Sequence, residues 1–294
     1  MKINEIPAGA VVVGVDGSPD SDHAVDWAAE HAANENRDLV LLYGSGPPAA
    51  TLGGMTSGGM DPTEFLDDLD KAGHDVLDRA AQRLAADHPE GRVHTAVVRS
   101  DPRKALLDAS ERASVVVVGS RGHGPVATLL VGSVGAAIAG HSHCPAVVVR
   151  PHHPGKVRRG VLVAVDGSAG SQAVLEFAFR QASEKTLPLN VLHAEWEAFE
   201  RAHELAPEDP DFQETALTLA EAIAGLGEKY PDVSVTKVLM RGTPKDAVLQ
   251  HADSMNLVVV GHGNADPISR ALFGSVALSV VEHASTVVAV VPQP

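Results

Sequence analysis

The chain has few of the residues that mark several other classes of protein. It contains one cysteine, Cys144, in 294 residues. An internal disulfide is therefore excluded, and a reducing compartment is favoured. Aromatic residues make up only 3% of the chain. A core without aromatic bulk must be built from small and branched residues, which suit helices packed closely on a parallel sheet.

Positive charge is also scarce, because 23 Lys and Arg residues face 38 Asp and Glu residues, for a net charge of -15. Nucleic-acid backbones require a basic surface, and anionic lipid repels an acidic one. No apolar run approaches the roughly 18 residues of a membrane span, and the first residues lack the apolar segment of a secretory signal. We therefore expect a cytoplasmic protein with neither nucleic acid nor membrane as a partner.

The sequence repeats itself. VVVGVDGS at 11–18 recurs as VLVAVDGS at 161–168, an offset of 150 residues. VVVVG at 115–119 recurs as LVVVG at 257–261, and GSV at 132–134 recurs at 274–276, both with an offset of 142. The first copy therefore holds about eight extra residues, which we assign to a mobile Gly- and Pro-rich loop at 44–62. The repeat predicts domains at 1–150 and 159–294, joined by a Pro-containing linker at 151–158.

Each copy alternates apolar runs with segments of helical periodicity. In the first copy the runs predict strands at 11–15, 39–43, 93–99, 115–118 and 146–150. The segments between them predict four helices. The first begins at Ser18, and the others span 65–84, 102–112 and 133–140. Such alternation predicts an α/β fold, in which helices cover both faces of a parallel sheet. Ligands of these sheets bind beyond the carboxyl ends of the strands, where the strand order reverses.

Two features of the first copy follow strands in this way. Asp16 follows the first strand, and Gly119-Ser120-Arg121-Gly122 follows the fourth, nine residues before Gly132-Ser133. Glycine lets a backbone approach a phosphate, and the N-terminus of the helix led by Ser133 favours anions. Asp16 suits a ribose hydroxyl or a bound Mg²⁺. Taken singly, the glycines could form plain turns and Ser133 an N-cap, but the combination favours a nucleotide.

The pattern Gly-x-x-Gly-(nine residues)-Gly-Ser, together with VVVGVDGS, resembles that of the ATP-binding class of universal stress proteins. The length and the double copy are similar to the tandem form found in mycobacteria and related actinobacteria, and the resemblance covers essentially the whole chain. It implies two Rossmann-like (adenine nucleotide α-hydrolase-like) domains, each a five-stranded parallel sheet of order 3-2-1-4-5 with helices on both faces. It also implies ATP and Mg²⁺ in each domain, and a homodimer.

The resemblance assigns one set of nucleotide-binding residues to each copy. The first set is Gly14, Asp16, Gly44, Gly119, Ser120, Arg121, Gly122, Gly132, Ser133 and Val134. The second set is Ala164, Asp166, Gly261, His262, Gly263, Asn264, Gly274, Ser275 and Val276. Asp16 and Asp166 are the candidate Mg²⁺ ligands.

The second copy departs from the family pattern at Asn264, which stands where the second glycine is expected. Asparagine tolerates left-handed backbone better than most residues, and Gly263 lies one position earlier. We nevertheless expect the asparagine side chain to project toward the phosphate space, and Asp266 two residues later adds negative charge. We therefore predict a second site that binds nucleotide through an altered loop.

The sequence lacks the motifs of the common nucleotide and ester hydrolases. It contains no GxxxxGK[ST], HExxH or GxSxG, and the loops carry positive charge only at Arg121 and Arg270. These observations favour a regulator in stress response or growth control that hydrolyses ATP slowly or not at all, acting through a signalling partner that the sequence does not identify. The alternatives are an adenine-nucleotide hydrolase or transferase of the same superfamily, and a dimerising scaffold without nucleotide.

Three smaller groups of residues have two interpretations each. His123 and Arg121 could reach a terminal phosphate or lie in an exposed loop. The segment 141–144 contains two histidines and Cys144, for which we expect a buried thiol rather than a metal site. Asp67, Asp68 and Asp70 are predicted to form the solvent-facing side of a helix.

Overall fold

The computed structural model describes residues 2–46, 62–88, 90–122, 131–151, 159–168, 170–197, 202–209, 211–262 and 276–293. The chain divides into two compact units, Met1–Arg150 and Pro151–Pro294. Residues 47–61 of the predicted mobile loop and 152–158 of the predicted linker lie outside the described residues. Among the described helices, none is long and apolar enough to cross a membrane.

The first unit alternates strands and helices after a short 3-10 turn at Ile3–Glu5. Its elements are β1 (Val11–Gly14), α1 (Pro19–Asn34), β2 (Leu39–Gly44), α2 (Pro62–Asp87), β3 (Val93–Val98), α3 (Pro102–Ser110), β4 (Val115–Gly119), α4 (Ser133–His141) and β5 (Ala146–Val149). The strands confirm the predicted ones to within one residue at each end. The predicted helices are likewise confirmed, with ends that differ by up to three residues.

The strands of the first unit form a parallel sheet in the order β3-β2-β1-β4-β5, as predicted. Val11 lies opposite Leu39 of β2 on one side and Val115 of β4 on the other, so β1 is central. Helices α1 and α2 pack together on one face, and α3 and α4 pack together on the other. The strand order therefore reverses between β1 and β4, which is where an open α/β sheet forms its ligand crevice.

Residue type explains why β1 and β4 lie at the centre. Val11, Val12 and Val13 are fully buried between the two helical layers. Burial of one valine side chain contributes about 1.5–3 kcal/mol, and β-branched side chains favour the strand conformation. A strand covered on both faces shows a continuous apolar run rather than an alternating one, so the sequence pattern itself indicated a buried strand.

The second unit repeats this plan. Its elements are β6 (Val161–Val165), α5 (Ser171–Glu184), β7 (Leu189–Trp196), β8 (His203–Glu204), α6 (Phe212–Lys229), β9 (Val235–Gly242), α7 (Pro244–Ala252), β10 (Leu257–His262), a helix at 276–283 that we call α8, and β11 (Val287–Pro292). Strands β9-β7-β6-β10-β11 reproduce the order 3-2-1-4-5. The two-residue β8 adds an antiparallel edge to β9 that the sequence did not predict.

Cys144 lies in the turn that precedes β5. Its side chain is buried, and burial raises the pKa of the thiol to about 11. The neighbouring His143 contacts the hydroxyl of Ser110 through Nδ1 at 3.2 Å rather than the thiol. The prediction of a buried thiol is therefore confirmed, and at neutral pH this cysteine is protonated and unreactive.

Candidate functional site

Asp16 begins the candidate site of the first unit, directly after β1. Its carboxylate Oδ1 accepts a hydrogen bond from the Ser18 backbone N–H at 2.9 Å, and its own N–H donates to the Ser21 hydroxyl at 3.2 Å. Gly17 between them has a φ of +83°, which glycine adopts without strain. This turn leads the chain into α1 and leaves the Asp16 side chain exposed at the carboxyl end of the sheet.

The loop after β4 lies against this carboxylate. A Cβ atom on Gly122 would lie 2.3 Å from Asp16 Oδ2, so only glycine permits the observed approach. Ser120, two residues before Gly122, is fully buried. The Ser120 N–H donates a hydrogen bond to the Val149 carbonyl at 2.9 Å. The structure therefore brings Asp16 and Gly122 together from positions more than 100 residues apart.

Helix α4 completes this end of the sheet. Gly132 is its N-cap, and its N–H donates to the Ser120 carbonyl at 2.8 Å, which ties the helix start to the loop after β4. Ser133 is thus the first helical residue, and the interpretation of Ser133 as an N-cap is wrong. Among the described residues no side chain caps this helix. The N–H groups of Ser133 and Val134 have no partner inside the helix, as in any first turn, and they point out of its N-terminus.

Three of the predicted glycines lie where helices approach the sheet. A Cβ atom on Gly14 would lie 2.9 Å from Leu106 Cδ1, and one on Gly44 would lie 2.6 Å from Pro102 Cα, both in α3. A Cβ atom on Gly119 would lie 2.7 Å from the backbone of Asp20 in α1. Close packing of these helices beneath the site therefore explains why glycine ends each of the three strands.

Several side chains near this site were not identified from the sequence. Tyr43 is the residue before the last in β2, and burial followed by the Asp16 charge raises the pKa of its hydroxyl. Its ring packs on Gly73 of α2, where a Cβ atom would lie 2.7 Å from Cδ1. An aromatic residue at the end of a strand next to Asp-Gly-Ser was the available signal.

The prediction of a uniformly solvent-facing acidic side on α2 is wrong for Asp70. Its carboxylate accepts from the Ser45 hydroxyl and from Arg99 Nε, each at 2.5 Å, and Arg99 also pairs with Asp67. Burial opposes ionisation of Asp70, but these two donors hold its pKa below the ordinary value. Asp67 and Asp68 are exposed, as predicted. The cluster joins α2 to the ends of β2 and β3.

The second unit has a cleft of about 90 Å³ at the equivalent strand ends. Residues of the predicted second set contribute to its lining together with residues of β7 and the residue that follows β11. They are Ala164, Asp166, Gly261 and Val276 from the predicted set, with His193, Ala194 and Gln293 among the others. Gly263, Asn264, Gly274 and Ser275 lie outside the described residues, as do His123, Asp266 and Arg270.

Two hydrogen bonds hold the side chain of Asp166 in the second unit. Its Oδ1 accepts from the Ser171 hydroxyl at 2.6 Å and from the Ser168 N–H at 2.9 Å. Burial opposes ionisation, but these hydrogen bonds outweigh it and hold the pKa of Asp166 below its ordinary value of 3.8. The carboxylate is therefore charged at neutral pH, as a role in binding a cation or a ribose requires.

We expect Ser171→Ala to raise the pKa of Asp166, because the carboxylate loses a donor. A pKa lowered by folding contributes stability above the ordinary pKa and loses it as the pH falls through the lowered value. The variant should thus lose about 1 kcal/mol of unfolding free energy at pH 7, a difference that fades in acid. Carboxyl NMR titration and urea unfolding measure the two effects, and an unchanged Asp166 pKa would contradict the assigned cause.

Comparison with known proteins identifies the family. The profile of the universal stress protein family matches residues 8–150 and 158–292. A universal stress protein of Mycobacterium tuberculosis is 33% identical over 291 residues, covering 95% of each chain, and one of Mycolicibacterium smegmatis is 33% identical over 289 residues, covering 96% of each. The crystal structure of a universal stress protein from Archaeoglobus fulgidus has the same fold, with a TM-score of 0.68, 21% identity, and coverage of 98% of this chain and 97% of that one. The chain therefore belongs to the universal stress protein family, with two domains of that family in tandem.

Proposed function

We propose that the first unit binds ATP with Mg²⁺, and that the chain acts as a nucleotide-dependent regulator in stress response or growth control. The observation that carries the proposal is the meeting of three features at one reversal of strand order. They are the exposed carboxylate of Asp16, the glycine backbone at Gly122, and the helix N-terminus at Gly132. A carboxylate suits ribose or Mg²⁺, and a helix N-terminus with a glycine loop suits phosphates.

The residues present fit these groups. Asp16 Oδ2 occupies the space next to Gly122 that a Cβ atom would otherwise fill. A cation bound by this carboxylate would therefore lie beside the loop that we propose holds the phosphates. Gly119, Ser120, Arg121, Ser133 and Val134 would supply the rest of that cradle. Gly14 and Gly44 lie at the ends of β1 and β2, and Gly44 would border the adenine. The α4 N-terminus would stabilise negative charge without requiring a lysine.

Slow or absent hydrolysis is part of the proposal. Stabilising a phosphoryl transition state requires positive charge beyond that of the metal. Arg121 Nε lies 3.5 Å from Asp20 Oδ2, so a carboxylate already balances part of its charge. ATP would then act by favouring one conformation of the loops, and so one interaction surface. We further propose that the protein is a cytoplasmic homodimer that presents this surface to a signalling partner.

The second unit is proposed to bind nucleotide as well, at the cleft lined by Asp166, Gly261 and Val276. Ala164 of β6 also lines it, and His262 ends β10 next to Gly261. Gly263, Asn264, Gly274 and Ser275 would belong to its loop. Asp166 would take the role of Asp16, including the contact with Mg²⁺.

Nucleotide content tests the proposal. Purified protein, denatured and analysed by chromatography, should release at least one adenine nucleotide per chain, and two if the altered second loop also binds. Release of no ATP, ADP or AMP, together with no binding of added Mg-ATP, would contradict it. Turnover of many Mg-ATP molecules per second would instead favour the hydrolase or transferase alternative.

A further inference from the structure

Asp20 connects the start of α1 to the loop after β4. Its side chain is buried, and Oδ2 accepts a hydrogen bond from the Ser120 hydroxyl at 2.7 Å. The same oxygen accepts from the backbone N–H of Arg121 at 3.1 Å and lies 3.5 Å from the Arg121 Nε. One carboxylate oxygen thus contacts both residues that lie between β4 and Gly122.

Asp20 has partners of positive electrostatic character beyond these hydrogen bonds. Asp20 is in the first turn of α1, directly after Pro19, where the helix dipole stabilises negative charge. Arg150, directly after β5, has a pKa that burial and then the Arg121 charge lower and that the Asp20 carboxylate raises. Asp20 therefore combines the N-terminus of its own helix with the Arg121 guanidinium group 3.5 Å away.

The second unit lacks this arrangement at the same place. At the offsets of the repeat, Gly170 replaces Asp20 and His262 replaces Ser120. The side chain of Gln293 occupies the space, because a Cβ atom on Gly170 would lie 3.4 Å from it and one on Gly261 would lie 2.6 Å from its Nε2. Where the two units can be compared within the described residues, Gln293 of the second therefore occupies the place that the Asp20 carboxylate has in the first.

We propose that Asp20 is a positioning residue for the first nucleotide site, which fixes residues 120–122 in their binding geometry before nucleotide arrives. It acts through the loop and does not touch the ligand. Pre-ordering removes an entropic cost from binding, so the first loop accepts phosphate more tightly than a mobile loop of the same sequence would. The inference rests on the proposed function for its effect on affinity, but the ordering of the loop is measurable without nucleotide.

The test uses the full chain, freed of nucleotide, and backbone hydrogen exchange. Asp20→Ala should raise amide exchange at residues 120–122 about tenfold, because the Arg121 amide loses its acceptor. Adding Mg-ATP and following protection of residues 120–122 and 132–134 gives the affinity of the first site alone. That affinity should fall about tenfold, while protection at 257–262 in the second unit follows the wild-type curve.

Two further variants keep the inference falsifiable. Asp22→Ala is the matched control, because Asp22 lies in the same helical turn but is exposed and pairs with Arg83 at 3.8 Å. It should change neither exchange nor affinity. Asp20→Asn keeps the shape and an acceptor oxygen, so it should give intermediate values, and it decides the matter if Asp20→Ala does not fold.

Exchange at 120–122 that stays at the wild-type rate in Asp20→Ala and Asp20→Asn would overturn the inference. So would faster exchange with an unchanged Mg-ATP affinity, because ordering would then not serve binding. Failure of the wild-type chain to bind Mg-ATP at all would instead contradict the proposed function. In that case the exchange rates still decide whether Asp20 orders the loop.

Discussion

Gly122→Ala should weaken Mg-ATP binding at the first unit about 100-fold while the unit stays folded. The new Cβ atom would lie 2.3 Å from Asp16 Oδ2, so one of the two groups must move. Asp16 is exposed and can swing into solvent, which preserves the fold. The site then loses the position of its carboxylate and the close approach of the loop backbone together. A 100-fold loss corresponds to about 2.7 kcal/mol.

Gly140→Ala provides the matched control for this substitution. Gly140 lies in α4, and a Cβ atom there would meet nothing within 4 Å. Because alanine favours a helix interior over glycine, this variant should be more stable by about 0.5–1 kcal/mol and should bind Mg-ATP as the wild type does. Calorimetric titration compares the two variants. Equal affinity of Gly122→Ala and wild type would remove Gly122 from the site.

The fold was predictable because its signals are local. Apolar runs such as 115–118 form strands buried on both faces, and the Asp-Gly-Ser that ends 11–18 forms the turn into α1. The repeat doubled this information, since each copy supports the interpretation of the other. The strand order 3-2-1-4-5 came from the family resemblance, and pairing of β1 with both β2 and β4 confirms it. The short β8 has no apolar run, and the sequence did not predict it.

The supporting side chains of the site were not predictable in the same way. Ser120 donates a hydrogen bond to Asp20, which lies 100 residues earlier in the chain. Ser45 donates one to Asp70, whose helix shows only the acidic pattern of a solvent-facing surface in the sequence. Neither pair has a fixed spacing or a motif. Gln293 is a further example, because a polar residue near the end of the chain fills a gap left by Gly170. Such contacts follow from how distant segments pack, which periodicity does not encode.

Gly119 and Gly261, which occupy equivalent positions in the fourth strands of the two copies, should respond unequally to alanine. In the first unit a Cβ atom on Gly119 would lie 2.7 Å from the carbonyl carbon and oxygen of Asp20, which are backbone atoms of α1. Helix and sheet would have to separate. In the second unit a Cβ atom on Gly261 would lie 2.6 Å from Nε2 of Gln293, the far end of a flexible side chain, and 3.1 Å from Val174.

We therefore expect Gly119→Ala to cost about 3 kcal/mol of unfolding free energy in the first unit, at the upper end of the usual cost of overpacking. Gly261→Ala should cost the second unit about 1 kcal/mol or less, because Gln293 can rotate away. Urea titration followed by hydrogen exchange reports each unit separately, with 11–15 for the first and 161–165 for the second. Gly119→Ala should also raise hydrogen exchange at residues 120–122, because the close contact of Gly119 with the Asp20 backbone keeps Asp20 within hydrogen-bonding distance of the loop. Equal losses of unfolding free energy in the two units would show that a backbone neighbour and a flexible side-chain neighbour constrain these glycines alike. That result would contradict our assignment of Asp20 to the first loop and Gln293 to the second.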